Sequence, residues 1–327
     1  MRILVVQNQS GSMGAFQYVT QGIINAFNAA GHQASRWDGS QQQWDLFKPD
    51  LYLGCSGHRQ NIPTNRGHTK IGIHVNPYSD NKIGSVDGGP TIDESQSAID
   101  WTVNQKPDFV FGYVSNTYIP TYFGHWTSRH GIKVLEMMCA ADTTIYKPHA
   151  HSKQFECDIA WVGGYWGYKA KMLDIYLKPL FDKYKTKLFG WGGWANNQTI
   201  SDKDVPILFS SAKVCPSVSE PHSRDFPIDI PERVFKVPAS GGFTIHTPSP
   251  AISDLFGSSI PMATNEKEWF DLIEYYIKND DIRVRASTKQ RRVILARHTY
   301  FDRCINVLNS IGYEQEAQKM QSFKLLS

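Results

Sequence analysis

The chain has 327 residues, 20% of them charged and 41% hydrophobic, with a formal net charge of +3, which fits a globular protein of about two domains. So slight a charge neither requires nor rules out nucleic acid, and five scattered cysteines without CxxC spacing exclude a disulfide framework or a zinc site of the usual pattern. No apolar run approaches a membrane span and the opening run is too short for a signal peptide, so the expectation is a cytoplasmic protein.

In chain order, residues 2–6 read as a buried strand, 7–14 as a polar Gly-rich loop, 16–30 as a helix closed by Gly31, and 32–37 as a second strand. Strand, loop, helix, strand opens a doubly wound α/β domain, in which ligands sit at the carboxyl ends of the strands. The 7–14 loop, with Ser10, Gly11 and Ser12, is therefore a binding loop in prospect, although it matches neither GxGxxG nor a Walker loop. The alternation continues through a helix at 42–47, strands at 51–54 and 70–75, a helix at 95–104, and strands at 109–113 and 133–137. A mostly parallel sheet covered on both faces follows.

His74 falls where a strand gives way to a loop, a position for a base or an orienting group, or for an ordinary hydrogen-bonded histidine. Asp80 and Asp93 follow in the next loop, and either carboxylate is a general base in prospect. His58, Arg59, Arg66 and His68 make a positive loop that suits an anionic acceptor or a solvated surface. Residues 142–156 read as a linker, and His149 and His151 within it lack the further ligands a metal needs.

A second α/β series begins at 158–164, a strand ending in Gly163-Gly164, followed by a helix from Lys169 to about 184. Glycine turn and helix N-terminus together make an anion site, with Lys169 and Lys171 adding charge. A strand at 187–189 runs into a glycine turn flanked by Trp191 and Trp194, rings able to stack on a base or sugar. After a strand at 212–216 and a polar loop comes a short helix from Pro231, the turn Ser240-Gly241-Gly242 and an apolar strand at 243–245. Glu232 and Lys236 stand at i, i+4, the spacing of a helix-surface ion pair. A short strand at 260–262 and helices at 266–279, 281–297 and 300–311 complete the pattern, and the basic residues at 283–292 spread around their helix as a solvated face does.

Four stretches in order carry a resemblance: Ala140-Ala141-Asp142 with Tyr146-Lys147-Pro148, then 157–164, then Pro231-Glu232-Arg233-Val234-Phe235-Lys236 through Gly241-Gly242-Phe243, then Arg297-His298-Thr299-Tyr300 through Arg303. Together they resemble glycosyltransferases of the GT-B architecture, within them the group typified by the spore-maturation protein CgeB. The resemblance implies two Rossmann-like domains facing across a cleft: an acceptor-side domain at 1–145 and a nucleotide-sugar domain at 155–300. It also allows the tail at 301–327 to pack back on the first domain. It implies a nucleotide-diphosphate sugar as donor and no metal or other cofactor. The residues expected to bind the donor are Gly163, Gly164, Lys169, Trp191, Glu232, Arg233, Lys236, Ser240, Gly241 and Gly242. An inverting reaction needs a base, for which His74, Asp80 and Asp93 stand ready; a retaining one does not. Lys236 departs from the group, whose members often carry a ribose-binding glutamate there. The acceptor is open among a glycan, a small molecule and modified DNA, the last with the basic loop at 59–70 turned to the duplex. A nucleotide-sugar-binding module without activity is the remaining alternative.

Overall fold

The computed structural model describes residues 1–6, 15–84, 91–193, 198–224, 226, 228 and 230–326. They form two compact units: one holds the described residues up to Ala140 together with those from Tyr300 onward, the other holds those of Ala141–Thr299.

The first unit is built on β1 (Arg2–Val6), β2 (Gln33–Trp37), β3 (Leu51–Cys55), β4 (Lys70–His74), β5 (Phe109–Gly112) and β6 (Lys133–Glu136). They pair in parallel in the order β2-β1-β3-β4-β5-β6. Both faces are covered, which is why β1 and β3 are buried along almost their whole length rather than at alternate residues. The helices are α1 (Ala15–Ala29), α2 (Gln41–Phe47), α3 (Gln96–Asn104) and α4 (Ile119–His130). Ser40 and Ser95 cap α2 and α3 by accepting the Gln43 and Ala98 amides. The sequence reading left α4 unassigned, although Pro120 opens it and Gly131, at φ 66°, closes it.

Two helices from the end of the chain complete this unit: α11 (Tyr300–Ser310) and α12 (Glu314–Leu326). Tyr300, Phe301, Cys304, Val307, Leu308, Ala317 and Met320 share one core with Ile3, Val5, Phe109 and Phe111. Gly22 on α1 admits the Tyr300 ring where any side chain would overlap it. Arg303 is buried and donates to the carbonyls of Met138 (3.1 Å) and Cys139 (3.2 Å). Only Ala317 and Met320 of α12 are buried, too few to show its period in the sequence.

The second unit carries β7 (Cys157–Val162), β8 (Thr186–Phe189) and β9 (Ala212–Val214), parallel in the order β8-β7-β9. Its helices are α5 (Gly167–Tyr176), α6 (Val205–Ser211), α7 (Arg233–Ala239), α8 (Pro250–Phe256), α9 (Glu266–Lys278) and α10 (Asp280–Arg297). The core gathers Ile159, Trp161, Leu173, Val214, Phe243, Ile245 and Trp269.

Three expectations are corrected here. The helix expected to reach 184 stops at Tyr176, because Pro179 has no N–H for a continuing ladder, and a short 3-10 turn follows. The short helix begins at Arg233 rather than Pro231, whose carbonyl accepts the Val234 amide. The stretches at 243–245 and 260–262 are extended but are not ladder strands. Phe243 and Ile245 accept from Cys215 and Ser217 at 2.9 and 2.8 Å, whereas the Gln290 side chain of α10 takes both the Thr244 amide (3.1 Å) and its carbonyl (2.8 Å). A side-chain amide stands where a neighbouring strand would. Among the described residues no helix is long and apolar enough to cross a membrane.

Candidate functional site

In the second unit the chain runs β7, β8, β9 while the sheet places β7 in the middle. Succession therefore reverses between β7 and β9, and the crevice outside their carboxyl ends is the usual ligand position in such sheets. The loop after β7 holds Gly163 and Gly164; the stretch after β9 holds Ser217, Ser219, Glu220, His222 and Ser223. Lys169, in the first turn of α5, reaches Glu220 at 2.8 Å across the crevice, both side chains only 15% exposed.

Arg233, the first residue of α7, lies with its guanidinium 3.5 Å over the Trp161 ring and donates from Nη2 to the Val162 carbonyl. Its Nε has no hydrogen-bond partner among the described residues. A side chain on Gly163 would place its Cβ 2.8 Å from Arg233 Nη2, so that glycine is what lets the guanidinium reach the strand end. Burial pulls the Arg233 pKa down to about 10, which still leaves it cationic at neutral pH. α5 has no side-chain cap, so its first amides add a second source of positive potential beside Lys169.

Around these cations lie buried polar atoms without partners among the described residues: the hydroxyls of Ser217, Ser219 and Ser223 and Oε2 of Glu220. Buried polar atoms are nearly always paired, and a cluster of exceptions at a strand-end crevice marks a binding site. Tyr168 stacks on His222, with its hydroxyl 3.3 Å from Nδ1. Trp191 is 60% exposed at the end of β8, its indole against Gly164, where a Cβ would come within 2.7 Å. Gly190 and Gly192 allow backbone contact with Gly163 and Tyr165 that no side chain would permit.

The remaining residues expected to bind a donor divide. Glu232 and Lys236 pair at 2.6 Å, but their side chains are largely buried rather than on the helix surface, and Lys236 lies 5.3 Å from the Tyr146 ring. Ser240, Gly241 and Gly242 lie at the other edge of the sheet, a correction to the expected donor set. Gly241 and Gly242 line an open cavity of about 430 Å³ with Cys157, Asp158, Lys185 and Lys213, from the amino ends of the strands. A helix-to-strand turn in a parallel sheet must fall at that edge. The glycines there answer to packing: Gly241 has φ 80° beside Pro148, and a Cβ on Gly242 would meet the Phe209 carbonyl at 2.6 Å. Ser287 donates to both their carbonyls, and Ser240 to that of Lys236. A second cavity, about 610 Å³, runs along α10 past Pro148, Arg291 and Arg292. No side chain lining either cavity is among the buried unpartnered groups, and the chemistry favours the carboxyl edge over these two hollows.

In the first unit His74, Asp80 and Asp93 do not converge. His74 ends β4 with Nδ1 3.6 Å from Cys55 Sγ and its ring centroid 4.1 Å from that of Tyr113, the two planes tilted by 33°. Burial, and then the charge of His58, push its pKa down to about 3, so it is neutral and weakly basic. Asp80 is 85% exposed and pairs with His125 and Arg129, each at 3.1 Å. Asp93 accepts the Ile83 and Gly84 amides and braces its own loop. The sequence reading missed Glu94, a buried carboxylate joining the ends of β3 and β4 by accepting Ser56 Oγ (2.5 Å) and the Asn76 amide (2.9 Å).

The basic loop is also not the open cluster expected. Arg59 donates to the Ser56 carbonyl and Ser97, and Arg66 to the carbonyls of Pro63 and Gln105. His68 pairs with Asp50 and Lys70 with Asp108. Ser10, Gly11 and Ser12 lie outside the described residues. Among those described, no three His, Cys, Asp or Glu side chains gather as metal ligands.

A family model described as glycosyl transferase-like matches residues 170–309. The sucrose-phosphate synthase of Thermosynechococcus elongatus superposes with a TM-score of 0.63 at 11% identity, covering 96% of this chain and 98% of its own. HepE of Anabaena in complex with UDP gives 0.58 at 11% identity, over 95% and 99%. An alpha-glucosyltransferase in complex with UDP and a 13-mer DNA gives 0.62 at 10% identity, over 96% and 99%. No curated protein matches the chain. The likeness extends over nearly the whole chain, and the fold is of the GT-B type, two α/β units each on a parallel sheet.

Proposed function

We propose that the protein is a glycosyltransferase moving a sugar from a nucleotide-diphosphate sugar to an acceptor hydroxyl, with the donor in the carboxyl-edge crevice of the second unit. The observation that carries this reading is Arg233, a buried guanidinium held over Trp161 at a switch-point crevice with one nitrogen unpartnered among the described residues. As the anomeric C–O bond breaks, negative charge gathers on the departing diphosphate. Arg233, Lys169 and the first amides of α5 are fixed there beforehand, which lowers the barrier without reorganisation. Glu220 Oε2 and the Ser217, Ser219 and Ser223 hydroxyls supply partners for ligand hydroxyls, and Trp191 a face for stacking. The Glu232–Lys236 pair positions the start of α7 behind Arg233.

The family model begins at residue 170, within α5, and so takes in Arg233 and the stretch after β9 but not Gly163, Gly164 or Lys169. HepE is known in complex with UDP-glucose as well as UDP, and the alpha-glucosyltransferase with UDP. The four stretches that resemble the CgeB group support that narrower placement. With charge for the leaving group supplied by the protein, turnover is expected to survive EDTA. Modified DNA as acceptor has a structural neighbour in its favour, but the cations of the 59–70 loop are already engaged within the first unit.

Incubation with a panel of nucleotide sugars, read as nucleoside diphosphate released, tests the reading. One donor is expected to turn over, and Arg233→Ala to slow it about 10²–10³-fold. A donor that binds without ever being consumed would favour a binding module; full turnover by Arg233→Ala would refute the site.

A further inference from the structure

Towards its carboxyl end α10 carries Lys289, Arg291 and Arg292, with no carboxylate three or four residues away from any of them. Those are the helical positions from which an acid would neutralise them. α9 and the start of α10 follow the opposite habit, pairing Lys267 with Asp271, Lys278 with Glu274 and Arg283 with Asp280. Arg291 gives only its Nε to the Ala239 carbonyl, at 3.4 Å, and neither Arg291 nor Arg292 has an ion pair among the described residues. Lys289 and Arg292 are also like charges at i, i+3, a local cost that a bound anion would offset.

Both arginines line the hollow of about 610 Å³ along α10, a volume suited to a small molecule. Among the described residues no acidic side chain lines it, and Pro148 and Leu295 supply apolar wall. Ser287 and Thr288 spend their hydroxyl protons on the carbonyls of Gly241, Gly242 and Val284, so the guanidiniums are the side-chain donors left there. The amino-edge hollow adjoins this one at Gly241, Ser287 and Thr288 but is balanced in charge, Lys185, Lys213 and Arg283 against Glu156, Asp158 and Asp280.

We propose that the hollow along α10 is a second ligand site, and that it takes a small anion with an apolar body: a phosphate or carboxylate carried on an aryl or short alkyl group. The guanidinium forks match the oxygens of either acid. The arginine stems, Pro148 and Leu295 cover the apolar body; a bare inorganic anion would leave that wall wet. The site is separate from the donor crevice. Arg233 opens α7, and Ala239, which Arg291 touches, closes it about 9 Å further along the helix axis. The proposal goes beyond the glycosyltransferase reading and stands without it.

Calorimetric titration of the full chain tests this, with phenyl phosphate and benzoate as probes. Inorganic phosphate is the control for charge alone, benzyl alcohol for the apolar body alone and benzylamine for the opposite charge. Thermal shift with nucleoside diphosphates reports the donor side separately. At least one probe should bind about tenfold or more tighter than all three controls. Hydrogen exchange should then slow at 288–296, with 163–169 and 217–223 unchanged. Arg292→Ala, at an exposed position, should lose about tenfold in that affinity and Arg292→Lys less, with the nucleotide shift intact in both. A control that binds as well as the probes would overturn the proposal. So would probe binding indifferent to Arg292→Ala, protection confined to 163–169 and 217–223, or silence from both probes. A missing nucleotide shift beside arginine-dependent probe binding would refute the donor site and leave this one standing.

Discussion

Arg233 and His74 show how burial sets what a side chain can do. Arg233 gives up part of its hydration to lie over Trp161 and beneath Gly163, and is repaid in a fixed guanidinium at the strand ends. Arg233→Ala should lower stability by about 1–3 kcal/mol through the lost cation–π contact and the orphaned Val162 carbonyl. Arg233→Lys keeps the charge but not the planar fork, so nucleotide affinity should recover only in part. Calorimetric unfolding and nucleotide titration of the two variants check this. For His74 the folded pKa of about 3 lies below the ordinary 6.5. The unfolded chain therefore binds more protons between those values, and stability falls as pH drops from about 6.5 toward 3. His74→Phe should flatten that acid limb of a melting-temperature profile while leaving the neutral plateau close to wild type. Turnover, if His74 is not the base, should show no inflection that this variant removes.

At the scale of elements, the direction of a turn decides its meaning. Gly163-Gly164 and Gly241-Gly242 look alike in sequence, yet the first follows a strand and the second precedes an extended stretch, so they lie at opposite edges of one sheet. Gly242→Ala should destabilise by about 1–3 kcal/mol through the clash with the Phe209 carbonyl, and leave nucleotide affinity unchanged. Gly163→Ala should weaken affinity by displacing Arg233. Much of this was legible beforehand. The alternation from β1 to β6 followed from buried apolar runs and helical period, Gly163 and Lys169 were singled out by the strand end and helix start they occupy, and Arg233 was singled out beside a glycine turn that lies at the other edge of the sheet. What escaped depends on distant partners. Gln290 interrupts the ladder at Thr244 from 46 residues away, and nothing local announces it. Asp93 and Glu94 are adjacent carboxylates, and only packing makes one a loop brace and the other a buried link between two strands. The hydroxyls of Ser217, Ser219 and Ser223 read as an ordinary polar loop until their burial is known.

For the whole molecule, the chain is not divided in sequence order. The residues from Tyr300 onward belong to the first unit and supply Tyr300, Phe301, Val307, Leu308 and Met320 to its core. Deleting 300–327 should therefore collapse the first unit, seen as lost protection across β1–β6 in hydrogen exchange, while the core around Trp161 and Trp269 keeps its protection. Within the second unit the central claim is one of place: the donor's diphosphate is held at the carboxyl edge, not in the hollows at the amino edge and along α10. Hydrogen–deuterium exchange of the full chain with the tightest-binding of the common nucleoside diphosphates tests that most directly. The account predicts new protection at 163–169 and 217–223, with 240–242 and 283–288 unchanged; protection confined to those last two segments, or none with any nucleotide, would contradict it.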